Sequence, residues 1–164
     1  MSWGEVSRIN SDLGTPLNEV MKCFGGIIPR NTRPKIITPS ANNGVVYECR
    51  GKTVINSLSF SVSARHTDFN AQYGKYSGTC TIKVYSGENL IYTDSVSSEA
   101  GRYGDSATQS KDNVIQTDMS KQVLTTNVYN GPLDDVRIEL YTSGSTNIKG
   151  TTTGNMTLNY YVVP

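Results

Sequence analysis

Ser57-Leu58-Ser59-Phe60-Ser61-Val62-Ser63-Ala64 is the stretch that decides the fold class. Leu58, Phe60, Val62 and Ala64 alternate with four serines, so in an extended chain the apolar side chains share one face and the hydroxyls the other. This is the pattern of an antiparallel strand with one dry and one wet face. The same period returns in Cys80, Ile82 and Val84, in Val136, Ile138, Leu140 and Thr142, and in Met156, Leu158, Tyr160 and Val162. Tyr85-Ser86-Gly87-Glu88-Asn89-Leu90 reads as a hairpin turn, with Leu90, Tyr92 and Asp94 continuing away from it. Val45 to Glu48 and Gln122 to Tyr129 are weaker strand candidates. Roughly seven or eight short strands, joined by polar turns with no helix-period segment between them, predict a mainly β domain over residues 44–164. The expected architecture is an antiparallel two-sheet β-sandwich of jelly-roll type.

Composition agrees. Ser, Thr, Asn and Gly make up 65 of the 164 residues, and a hydrophobic fraction of 36% is enough for a single sandwich core. Fifteen basic residues against fourteen acidic ones leave a net charge of +1, which exerts no general pull on nucleic acid or an anionic membrane. The longest apolar run, Tyr160-Tyr161-Val162-Val163, falls far short of the roughly 20 residues of a spanning helix. Met1-Ser2-Trp3-Gly4-Glu5 has neither the basic nor the apolar region of a secretory signal. The expectation is therefore synthesis in the cytoplasm, with no nucleic-acid partner and no membrane insertion. Cys23, Cys49 and Cys80 form no CxxC pair and read as reduced thiols, Cys80 in the core; a Cys49–Cys80 bridge is the alternative.

Before the sandwich the period changes. Ser2 and Glu5 form a capping box, Gly14 suits a helix stop, and Thr15 with Pro16 opens a second helix that can run to about Cys23. Val6, Ile9, Leu13, Leu17, Val20 and Phe24 line one apolar stripe. Two helices of roughly 9 to 11 residues are too short to stand alone in water, so the stripe must be buried against something. Residues 25–43 carry Pro29, Pro34 and Pro39 among asparagines and threonines and predict an extended linker. Residues 1–24 thus read as a helical attachment arm docking through Trp3, Val6, Ile9, Leu13, Leu17, Val20 and Phe24. The alternative is a helical hairpin folded back on its own sandwich.

Chemistry-bearing constellations are sparse. His66 is the only histidine, reads as a surface loop residue, and has no nucleophile motif near it. Asp68, Glu99, Asp105, Asp112 and Asp134 show no spacing that sets two carboxylates across a sugar, and no metal or cofactor motif is present. Catalysis, a cofactor and a metal site are accordingly not expected. Two connections, His66 to Gly78 and Ser97 to Asn113, read as long loops, the usual seat of function on a rigid sandwich. Tyr73, Tyr76 and Tyr103 lie in them with Asp68, Asn70 and Arg102, a set suited to stacking on a sugar ring and hydrogen-bonding its hydroxyls. The alternative is that the tyrosines pack the open ends of the sandwich.

Trp3-Gly4-Glu5-Val6, Ile9-Asn10-Ser11-Asp12-Leu13 and Pro16-Leu17-Asn18-Glu19 together resemble the N-terminal signature of tailed-bacteriophage and prophage structural proteins of Gram-positive, clostridia-like hosts. In those proteins such a segment precedes varied C-terminal domains. The resemblance covers about 18 residues at the N-terminus. It implies a virion component of the tail, baseplate or head surface, with Val6, Ile9, Leu13 and Leu17 docking on other virion proteins. A homo-oligomer on the particle, with the sandwich displayed as a decoration or as a module binding host cell-surface glycans, is the corresponding expectation.

Overall fold

The computed structural model describes residues 34–117, 127–128 and 132–163. The expected helical arm 1–24, and all of the expected strand from Gln122 to Tyr129 except residues 127–128, lie outside them. The strands are β1 (Lys35–Ile37), β2 (Ser40–Ala41), β3 (Asn43–Glu48), β4 (Lys52–His66), β5 (Tyr76–Ser86), β6 (Asn89–Ala100), β7 (Ser106–Gln116), β8 (Asn127–Val128), β9 (Leu133–Asp134), β10 (Val136–Gly144) and β11 (Gly150–Val163). One sheet runs β1-β11-β4-β7-β8, with β2 also on β11 and β9 on β4; the other runs β3-β10-β5-β6. All pairings are antiparallel except that of β8 with β7. Opposing β1-β11-β4-β7 to β3-β10-β5-β6 is the winding of two interleaved Greek keys, the jelly-roll arrangement.

The alternation read from Leu58 to Ala64 sets the layers. Leu58, Phe60 and Val62 point inward from β4 to meet Cys80, Ile82 and Val84 of β5, Ile138 and Leu140 of β10, and Met156, Leu158 and Tyr160 of β11, forming one continuous core between the sheets. Tyr47 packs edge-on against Tyr160 at 4.9 Å and shares a hydrogen bond with Thr53 at 3.0 Å. Burial raises the phenol pKa of Tyr47 far above its usual value. Cys49 and Cys80 are both buried and are not bonded to each other, so the bridge between them does not form. Burial pushes the Cys80 thiol up to about 11, which keeps it a small, protonated hydrophobe at neutral pH.

Three expectations are corrected. The sheet begins at Lys35, inside the stretch assigned to the linker: Lys35 pairs with Tyr160, Ile37 with Leu158 and Ala41 with Gly154. The chain there is extended, as its prolines require, yet β-branched Ile36 and Ile37 can pair. Pro39, which has no N–H to donate, sits between the two short strands and accepts from the Met156 amide at 3.0 Å. The supposed loop from Ser97 to Asn113 is instead the end of β6, a tight turn and most of β7. From Ser106 to Asn113 every side chain but that of Ala107 is polar, so its pairing with β4, to which a Ser63–Thr108 hydroxyl contact at 3.1 Å and the Asn113 amide on Ser59 Oγ at 3.0 Å add, leaves no apolar alternation to read. The principal strands are also long rather than short, with fifteen residues in β4 and fourteen in β11.

Truncation of Phe60 to alanine should lower unfolding stability by about 3–5 kcal/mol. Ser61→Ala, on the opposite face of the same strand, should stay within about 0.5 kcal/mol of the parent. Urea midpoints at unchanged slope measure both, and equal losses would contradict the assigned faces.

Candidate functional site

His66 ends β4, and the chain then leaves the sheet for Thr67 to Lys75 before β5 begins. The last inward position of a strand belongs to the core, so His66 is buried at 0% exposure and is not the surface loop residue expected. Both ring nitrogens are engaged: Nε2 donates to the Ala71 carbonyl at 3.0 Å, and Nδ1 accepts from the Asp68 amide at 3.1 Å. This pairing selects the neutral ring with its proton on Nε2. The imidazole serves as a template on which the loop folds.

Asp68 continues the brace. One carboxylate oxygen accepts from the Asn70 amide at 3.1 Å, capping the short 3-10 turn Phe69–Ala71, and the other accepts from the Lys149 amide at 3.1 Å. Asp68 thus ties the β4–β5 loop to the β10–β11 loop instead of facing a ligand, contrary to its expected place in a sugar site. The third loop joins through backbone bonds. Tyr103 N–H donates to Gln72 O at 2.9 Å, Gly104 N–H to His66 O at 3.1 Å, and His66 N–H to Asp105 O at 3.0 Å. Three connections, distant in sequence, form one bonded cap over this end of the sandwich.

Tyr76 does not belong to the surface of that cap. It opens β5 at 4% exposure and donates to or accepts from Thr152 Oγ1 at 2.7 Å. Its ring fits because Gly144 and Gly150 face it: a Cβ on either glycine would run into the ring or its hydroxyl. For this residue, packing of the open end is the correct reading.

The structure leaves three rings outside: Phe69 at 65% exposure, Tyr73 at 84% and Tyr103 at 47%. Phe69 meets Tyr103 edge to face at 5.6 Å, and Tyr103 in turn stands edge-on to His66 at 6.4 Å. Asn70 and Arg102, both expected here, are exposed on the same loops. Phe69 is the member that sequence reasoning passed over; an apolar ring between Asp68 and Asn70 in a polar loop was the available signal. Other polar groupings are satisfied internally. On the outer face of β10, Glu139 accepts from the Tyr141 hydroxyl at 2.6 Å and from Arg137 Nε at 2.8 Å. A shallow cleft over the wet face of β4 is lined by hydroxyls of Ser59, Ser61 and Ser110 with Asp112, Asn155 and Thr157. Among the described residues, no group of three or more His, Cys, Asp or Glu is placed to hold a metal ion, and no helix is long and apolar enough to cross a membrane.

The Lys149 amide, followed by those of Asn70 and Ala71, holds the Asp68 carboxyl below its ordinary value against the opposing effect of burial. A depressed folded-state pKa makes the contribution complete above the unfolded value of about 3.9 and loses it as pH falls through the folded one. Protection of the Asn70 and Lys149 amides in hydrogen exchange should therefore drop below about pH 4 while that of Ile82 persists. Asp68→Asn, with a single acceptor oxygen, should show the weakened protection at neutral pH.

No family model matches the chain, and no curated protein matches it. Among solved structures, a chain of Desmodium yellow mottle tymovirus aligns over 80% of this chain and 91% of that one, at 7% identity and a TM-score of 0.26.

Proposed function

We propose that the chain is a bacteriophage virion structural protein, without enzymatic activity, whose N-terminal segment docks on the particle and whose jelly roll is displayed from it. The observation that supports this reading is the polarity of the sandwich. The described chain enters the sheet at Lys35, paired with Tyr160, whereas the aromatic cap lies where Gly150 pairs with His66. Nine residues of extended strand separate those two points on β11, about 30 Å. The described chain therefore begins away from the exposed rings. Attachment at one end leaves the other free for contact, the arrangement a decoration or host-binding module needs, and many weak arm contacts sum by avidity on a symmetric particle. Recognition of host-surface glycans is compatible with display and is favoured by the three exposed rings.

Leu13→Asp with Leu17→Asp, in the full-length chain, should place charge in the docking stripe and remove the protein from purified particles, while urea unfolding of the sandwich stays unchanged. Double-variant protein still present on particles at parental copy number would overturn the docking assignment.

A further inference from the structure

The loop that carries Phe69 and Tyr73 is more firmly held than its exposed rings require. His66 fixes it through both nitrogens, Asp68 through both oxygens, and Gln72 through the Tyr103 amide. Rings at 65% and 84% exposure gain little from the core, and an exposed apolar ring is a cost in water. The brace satisfies the buried groups of His66 and Asp68, and it leaves these rings on a mount ordered before any contact is made. Ordering a contact surface before binding removes that cost from the association step.

Resting on the display reading, we propose that Phe69, Tyr73 and Tyr103 form a platform for a short pyranose oligosaccharide, with Asn70, Gln72 and Arg102 hydrogen-bonding its hydroxyls. The size of the patch selects this occupant. Taking about 200 Å² for an aromatic side chain, the three rings present roughly 400 Å², well under the ~800 Å² per partner of a stable protein interface but ample for sugar rings. Their chemistry agrees: apolar ring faces meet the C–H faces of a pyranose, and amide and guanidinium groups beside them suit its hydroxyls. Tyr76 and Asp68 take no part, being committed to packing and to the loop brace.

The test uses the purified full-length chain against immobilised chitotetraose, a β-glucan tetrasaccharide and a rhamnose trisaccharide, with phosphatidylglycerol vesicles in parallel. The retained sugar is then titrated calorimetrically against variants. Tyr73→Ala and Phe69→Ala should each weaken binding about 10-fold or more, the loss expected of one ring–sugar stack. Leu90→Ala, at a comparably exposed residue beside the β5–β6 hairpin at the opposite end, should bind as the parent. Retention of no sugar, affinity unchanged by both ring variants, or capture by vesicles alone would each overturn the assignment. The two readings fail separately. Particle incorporation without sugar binding sinks the ligand assignment alone; sugar binding by a chain whose Leu13 and Leu17 variants still assemble on particles sinks the docking assignment alone.

Discussion

The pairing of β4 with β11 is the constraint on which the rest depends. It runs from Lys52 with Val163 to His66 with Gly150, with one register shift near Asn159 and Tyr160. Because side chains alternate strictly, a slip by one residue would turn Leu58, Phe60 and Val62 to solvent and four serines into the core. Burial of those three apolar side chains alone contributes several kcal/mol, so the register is strongly specified. Once it is set, the outer face of this sheet has to be the row Ser57, Ser59, Ser61 and Ser63 opposite Asn159, Thr157, Asn155 and Thr153. The same pairing places His66 and Gly150 side by side at one end, which brings the β4–β5 and β10–β11 loops of the cap together.

The cap then follows from satisfying buried polar groups. A histidine at the last inward position of β4 has two ring nitrogens that must find partners away from water, and the cheapest are the backbone groups of the residues that follow it. Asp68, with two oxygens, reaches both its own loop and Lys149 of another. The polar residues here are structural members. Their effect on function is indirect: they fix which side chains are left outside.

Much of this was legible in the chain. Period-two alternation located β4, β5, β10 and β11 and the two-sheet architecture, because each has one dry face. β7 was not legible, since its first eight residues are polar except for Ala107 and its apolar Val114 and Ile115 are adjacent and do not alternate; β1 and β2 were hidden for another reason, since they pair although prolines surround them. At the candidate site, loop length and aromatic content pointed to Tyr73, Tyr103, Asn70 and Arg102, which the structure leaves exposed at one end of the sandwich. The roles of His66, Asp68 and Tyr76 were not readable, because each is decided by partners 2 to 81 residues away in sequence that only the folded loops bring together.

The tyrosines show why residue type alone cannot assign such a surface. Tyr76 and Tyr73 are three residues apart with the same ring and hydroxyl, yet one is 4% exposed and the other 84%. The difference lies in Gly144 and Gly150, which give up their Cβ atoms to make room for the Tyr76 ring between β5, β10 and β11. With that ring filling the end of the core beside Ala64 and Ala100, no space remains there for a second. Tyr73 and Phe69, on a loop already bonded to His66 and Asp68, can only point outward. The buried tyrosine, by closing the core, contributes to the exposure of the others.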